Sequence, residues 1–318
     1  MSVTPMLLAL APLLQDASAA PVRSAELGPR IELRRAGSTV DVTIDGAPFT
    51  VVHAGATPRP YLFPVLGPGG TPMTRAWPME EVEGEARDHP HHQSLWFTHG
   101  AVNGHDFWHG RGAGEGIELE RIVELRSGEE AAVLRASYRW VAQGAVQCRE
   151  ERTLRFFARE GARGVDFDVT LVPVGKPLTM GDTKEGSMAV RSIPALRLAG
   201  ERAAGRARNS AGDGGTAVWG KRAQWITYWA PVGGRVVGYA MFDHPENPRH
   251  PTWWHARDYG LCAANPFGVH DFEEKPAGTG DLTVPLGETL RLRYRVLFYE
   301  GELDDAALAR AFAEFAGA

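Results

Sequence analysis

Alternation of apolar and polar residues with a period of two runs through most of this chain and commits it to sheet. Val40, Val42 and Ile44 alternate with Asp41, Thr43 and Asp45, and Asp45-Gly46 then turns the chain into residues 49–52. Leu134, Ala136, Tyr138 and Trp140 oppose Arg135, Ser137 and Arg139, and Val165, Phe167, Val169 and Leu171 oppose Asp166, Asp168 and Thr170. Near the end, Leu290, Leu292, Tyr294, Val296 and Phe298 oppose Arg291, Arg293 and Arg295. One buried and one wet face per strand is the pattern of antiparallel sheets. Gly128-Glu129, Gly161, Gly233-Gly234 and Gly287-Glu288 supply turns between strands, and 37 glycines with 22 prolines leave little room for long helices. One helix is expected at the C-terminus, where Asp304 or Asp305 caps residues 306–315 and Leu303, Ala307, Leu308, Ala311, Phe312 and Phe315 form a stripe for a sheet. Residues 204–216 read as a polar loop. The expected fold is all-β: a large antiparallel β-sandwich with one C-terminal helix, in a single domain over residues 26–318.

Residues 1–25 read as a signal peptide or a disordered tail. Residues 6–14 are apolar, interrupted by Pro12, and the small residues 17–20 suit cleavage, although residues 1–5 carry no Lys or Arg. The protein is expected to be periplasmic or secreted if that signal is real, and cytoplasmic otherwise. No run approaches the roughly 20 apolar residues of a membrane-spanning helix, so a soluble chain is expected. Lys and Arg number 34 against 39 Asp and Glu, a balance that argues against a nucleic-acid surface. Cys148 and Cys262 are read as two buried unpaired thiols, with one disulfide as the alternative.

Histidine is unevenly placed. Six of the 11 lie between His89 and His109, where even spreading would put fewer than one. The dense part is Asp88-His89-Pro90-His91-His92-Gln93-Ser94-Leu95-Trp96. If extended, it would put His89 and His91 on one face and Asp88 and His92 on the other. Imidazole suits acid–base work near neutral pH and also binds metals, with Asp88 placed to orient a ring. A divalent metal at this cluster is therefore one expectation, although the spacing matches no standard zinc signature. Two further polar segments stand out. In residues 182–191, Lys184 and Glu185 can converge on a site from a loop, with Arg191 following. Residues 244–268 place Trp254, His255, Arg257 and Asn265 among prolines, a combination suited to a polyhydroxylated ligand, whose CH faces stack on indole while its hydroxyls meet fixed donors and acceptors. An earlier rigid loop, 59–75, offers Arg75 as a ligand contact, while Arg59 is read as turn chemistry.

Together, RPYLFPVLGPGG, DHPHHQSLWFTHGAVNG with DFW behind it, TKEGSMAVR and FDHPENPRHPTWWHARDYGLCAANPFG resemble the PmoA-like bacterial family of unknown function, over residues 31–298. That family often carries the label "methane oxygenase PmoA", an activity that belongs in a membrane, and no segment here spans one. The resemblance supplies motifs rather than roles. It implies a β-rich, enzyme-like protein, similar to the galactose-mutarotase-like supersandwich of many carbohydrate-active enzymes.

The function expected is that of a carbohydrate-processing enzyme acting by proton transfer, as an epimerase, lyase or hydrolase. His91 or His92 and Glu185 are the acid–base candidates, Lys184 and Arg191 offset negative charge, and His255 assists. Arg75, Trp96, His99, Arg191, Trp254, Arg257 and Asn265 are the substrate-binding candidates. The ligand expected is a small molecule or an oligosaccharide. Two other classes fit the same residues: a non-catalytic glycan-binding module, and a metal-dependent oxygenase built on the DHPHH cluster.

Overall fold

A computed structural model describes residue 1, residues 28–110 and residues 114–317. The proposed signal or tail segment, apart from Met1, lies outside the described residues. Every strand pairing among them is antiparallel, as the alternation predicts. One sheet of nine strands runs Trp253–Ala256, Leu261–Asn265, Gly186–Arg191, Leu95–His99, Tyr61–Val65, Ala47–His53, Thr39–Ile44, Arg30–Ala36 and Gly128–Glu129. A second, of eight, runs Arg206–Asn209, Trp225–Val232, Arg235–Asp243, Leu290–Glu300, Ala162–Pro173, Ala145–Arg159, Ala131–Ala142 and Gly116–Arg126. The 204–216 segment is thus not only a loop. Arg206–Asn209 pairs with Trp225–Val232 as the edge strand, and its charged outward residues hide it from a hydropathy reading.

The two sheets share one core. Leu134, Ala136, Tyr138, Trp140, Val165, Phe167, Val169 and Leu171 of the second sheet meet Leu95, Phe97, Met188, Val190, Cys262 and Ala264 of the first, all at 0% exposure. The Asp45-Gly46 turn has positive φ at both residues, 49° and 79°, and joins Thr39–Ile44 to Ala47–His53 as expected. The C-terminal helix spans Asp305–Ala316, with Asp304 accepting the Ala307 N–H at 2.7 Å as its cap. Leu308, Ala311 and Phe315 lay it on the outer side of the eight-stranded sheet, against Phe157, Trp225, Phe242 and Tyr299. The layers are therefore helix, sheet, core, sheet, and the outer face of the nine-stranded sheet is left to the loops. No helix among the described residues is long and apolar enough to cross a membrane.

Cys148 and Cys262 are both buried and unpaired.

Candidate active site on the outer face of the nine-stranded sheet

Register defines the floor of the site. Tyr61 pairs with Trp96, Trp96 with Ala189, Ala189 with Ala263, and Ala263 with His255. Cross-strand partners face the same side, so these five form one row across the outer face. Strand neighbours two residues away bring Arg191 and Leu261 to one end of the row, and Ser187, Thr98 and Asn265 to the other.

At the Arg191 end, the histidine segment folds as a turn. His89 has φ 43° and Ser94 φ 61°, and the His92 N–H donates to the His89 carbonyl at 2.9 Å. The extended reading fails here, because the turn puts the His89 and His92 rings parallel at 4.8 Å. Tyr259 stacks on His89 at 5.1 Å, and Trp96 stacks on His92 at 5.5 Å. His91 lies 4.3 Å from His92 and 4.5 Å from His109.

Two buried arginines hold this turn. Arg75 donates to the Trp77, Ala86 and His89 carbonyls at 3.1, 3.1 and 3.0 Å and to the Asp88 carboxylate. Its donors go to the loop around it, so its work here is to support the turn. Arg191 donates to Asp88 Oδ1 at 2.7 Å and to His92 Nδ1 at 3.2 Å, with its guanidinium 4.5 Å over the Tyr259 ring. Partial burial works to raise the Asp88 carboxyl, but Arg191, the His89 ring and Arg75 outweigh it and bring it to about 2. Burial, with the charges of His91, Arg191, His89 and Arg75, drives His92 far below the usual imidazole range. His92 is therefore a neutral ring. Arginine can only donate, so the His92 proton sits on Nε2.

At the other end, Lys184 Nζ lies 3.2 Å from Glu185 and 4.0 Å from Asp271. The His255 ring meets the Lys184 carbonyl through Nδ1 at 2.9 Å. A carbonyl only accepts, so Nδ1 carries the proton and Nε2 a lone pair. Burial and the neighbouring Lys184 and Arg257 charges lower His255 to about 3. Gly186 starts its strand where a Cβ would come 2.3 Å from His99 Nδ1, so a side chain there would displace that ring.

The two ends share the outer face of one sheet. The Tyr259 hydroxyl, raised by burial and lowered by Arg191 and Arg257, feels the negative charges of both Glu185 and Asp88. His91 touches His92, which bonds Arg191, and His255 lies at the far end of the Trp96–Ala189–Ala263 row.

Four of the substrate-binding expectations need correction. Trp254 faces the core, not the site: it is one residue from His255, its side chain is 0% exposed, and its indole donates to the Ala223 carbonyl at 3.0 Å. His99 likewise points to the core side of its strand, with Nε2 2.8 Å from the Gly181 carbonyl and the ring against Phe267. Asn265 is a structural clasp. It donates to the Thr183 carbonyl at 2.8 Å and accepts the Phe267 and Gly268 N–H groups at 2.8 and 3.2 Å. Arg75, as above, is the fourth. Trp96 and Arg257 stay on the site side, the latter 5.7 Å from the Tyr259 ring.

Sequence reasoning gave Tyr259 and Asp106 no role and counted His109 in the histidine cluster without one. The Asp106-x-x-His109 spacing was the available signal for the last two. Among the described residues, no group of three or more His, Cys, Asp or Glu is arranged to hold a metal ion. The reason is visible in the turn: His89 and His92 lie face to face, and His92 Nδ1 accepts a hydrogen bond from Arg191. A cleft of about 770 Å³ bordered by Arg30, Asp45, Arg159 and Arg163 lies at another part of the fold and shares no residue with this site.

Fold and site define an antiparallel β-sandwich protein with a polar, ring-lined site on the outer face of its larger sheet. Residues 39–313 match a family of unknown function, DUF6807, and the chain belongs to that family. No curated protein matches it. Among solved structures it is similar to the GH36 alpha-galactosidase AgaB from Geobacillus stearothermophilus, at 9% identity and TM-score 0.42, over 85% of this chain and 41% of that one. It is also similar to a glycoside hydrolase family 97 enzyme from Pseudoalteromonas sp. strain K8, solved in complex with panose, at 10% identity and TM-score 0.35, over 86% of this chain and 34% of that one. A putative aldose 1-epimerase from Escherichia coli K12 aligns at 13% identity and TM-score 0.32, over 87% of this chain and 100% of that one. The chain thus spans well under half the length of either hydrolase.

Proposed function

We propose that this face binds a sugar or sugar derivative and moves protons on it, as an epimerase, lyase or hydrolase does. The observation that carries the reading is the placement of two charged pairs on one outer sheet face, Asp88–Arg191 beside the stacked His89, His92 and Tyr259 rings and Lys184–Glu185 beside His255. Flat rings beside fixed donors and acceptors are the complement of a polyhydroxylated ring. Glu185, 22% exposed, is the acid–base group on its side of the site. Lys184 and Arg191 offset negative charge developing on the substrate, and Arg257 contacts it. His92 donates from Nε2 and His255 accepts at Nε2, both as neutral contacts, while His91 stands with the proton-handling groups. The likeness to the PmoA-like family and to a galactose-mutarotase-like supersandwich belongs to this proposal and contributes no reaction.

A second reading, a glycan-binding module without turnover, is favoured by the neutrality of His92 and His255. Calorimetric titration with aldoses, uronates and methyl glycosides, with product analysis of each mixture, separates the two. Heat of binding with product formation is expected. Binding without any product would leave the module, and neither binding nor product would reject both.

A further inference from the structure

We infer that His109, seated on Asp106, is a second proton-transfer residue of this site, working across it from Glu185. The inference rests on the sugar-processing reading above and names a catalytic group which that reading lacks. Asp106 is built as a fixed cradle: Oδ1 accepts the N–H groups of Trp108 and His109 at 2.9 and 3.0 Å, and Oδ2 accepts the His109 Nδ1–H at 2.7 Å. That bond sets the tautomer, with the proton on Nδ1 and the lone pair on Nε2. Nε2 takes no partner among the described residues, and the ring is 26% exposed, 4.5 Å from His91 at the edge of the stacked rings.

Arg59 stands behind the cradle. Its side chain is 0% exposed, its Nη1 donates to the His91 carbonyl at 2.7 Å, and its Nε and Nη2 have no partner. Burial lowers it to about 10, and the charge that supports it is that of Asp106. A buried cation facing Asp106 favours the carboxylate over the acid. Arg59 is thus a positioning residue, tying the His91 backbone and the Asp106 charge into one unit. His92, His99 and His255 lack this arrangement, since each is enclosed and pushed toward the neutral form.

In the step inferred, a substrate C–H or O–H bond breaks and an Nε2–H bond forms on His109. The electron pair stays on the substrate, where Lys184 and Arg191 offset its charge, and the imidazolium rests on Asp106. The electron pair then takes a proton back, either from His109 or from a protonated Glu185 on the other side, in which case His109 gives its proton to water and Glu185 regains one from it, so charge balances and nothing is oxidised or reduced.

The test uses full-length protein labelled with 15N-histidine, together with proton NMR of aldoses, uronates and methyl glycosides incubated in D2O. His109 is expected as the Nδ1–H tautomer at pH 8. Conversion or deuterium uptake by the wild type is expected to fall at least 100-fold in His109→Asn, with sugar affinity kept within threefold. Asp106→Asn is expected to fall about tenfold and to shift the acidic limb of the pH–rate profile, which a purely structural loss would not do. An Nε2–H tautomer, or full turnover in His109→Asn while Glu185→Gln is inactive, would overturn this inference and leave the parent reading standing. No conversion or uptake by the wild type with any sugar would remove the parent reading and this inference with it.

Discussion

Arg191 donates to Nδ1 of His92 at 3.2 Å, and this one bond decides what the most conspicuous histidine can do. With the proton forced to Nε2 and the ring held neutral by burial, His92 is a fixed donor and not a base. Arg191→Lys keeps the charge but loses the fork that serves Asp88 and His92 together. We expect it to cost about 1–2 kcal/mol in urea unfolding. In 15N spectra at pH 7, His92 should pass from a single Nε2–H tautomer to a mixture.

The Asp88 carboxyl is held at about 2 against an ordinary 3.8. A group depressed in the folded state adds stability that is complete above its unfolded value and lost as the pH falls through its folded one. Wild type should therefore lose stability relative to Asp88→Asn between about pH 4 and about pH 2. Urea midpoints across that window check it, and parallel acid limbs would contradict it.

His255 is lowered from 6.5 to about 3, so the unfolded chain takes up a proton at this residue while the folded protein does not. Its contribution is complete above pH 6.5 and declines as the pH drops toward 3. Wild type should lose up to about 1.4 kcal/mol per pH unit more than His255→Gln in that range. Thermal or urea unfolding from pH 7 to pH 4 measures the gap.

Trp254 and His255 are adjacent, yet they face opposite sides of the sheet. Trp254→Ala should lower stability by about 3–5 kcal/mol. A Trp254→Phe variant that folds should keep sugar binding within twofold by calorimetry, since the ring does not reach the site.

Cys148 and Cys262 are buried, and burial raises both thiols. Ellman's reagent should find no reactive thiol in the native protein and two after unfolding in guanidinium without reductant. Fewer than two would mean a disulfide.

The alternation in 134–140, 165–171 and 290–298 made the eight-stranded sheet and its buried face legible, and that in 40–44 one strand of the other sheet, because period-two patterning records burial directly. It also placed the C-terminal helix and its apolar stripe. What it does not record is which of two well-covered faces looks inward. The nine-stranded sheet is buried on both sides around Leu95–His99 and Gly186–Arg191, so Trp254 and His99 were assigned to the wrong side. Loop geometry was equally hidden. Positive φ at His89 and Ser94 turns an apparent strand into a clamp for Arg75 and Arg191, and Tyr259 enters the site only through the turn after Ala256. Arg59 read as a turn residue because its role depends on Asp106, 47 positions away.

The central claim is the location of the ligand, and the histidines themselves can report it. Four of them, His89, His92, His109 and His255, surround the proposed site, whereas His244 and His250 pack against Phe315 and Phe312 of the C-terminal helix. Titrating 15N-histidine protein with the aldose, uronate and methyl glycoside panel should shift the first four rings and leave His244 and His250 unmoved. Shifts confined to His244 and His250, or none with any sugar, would contradict it.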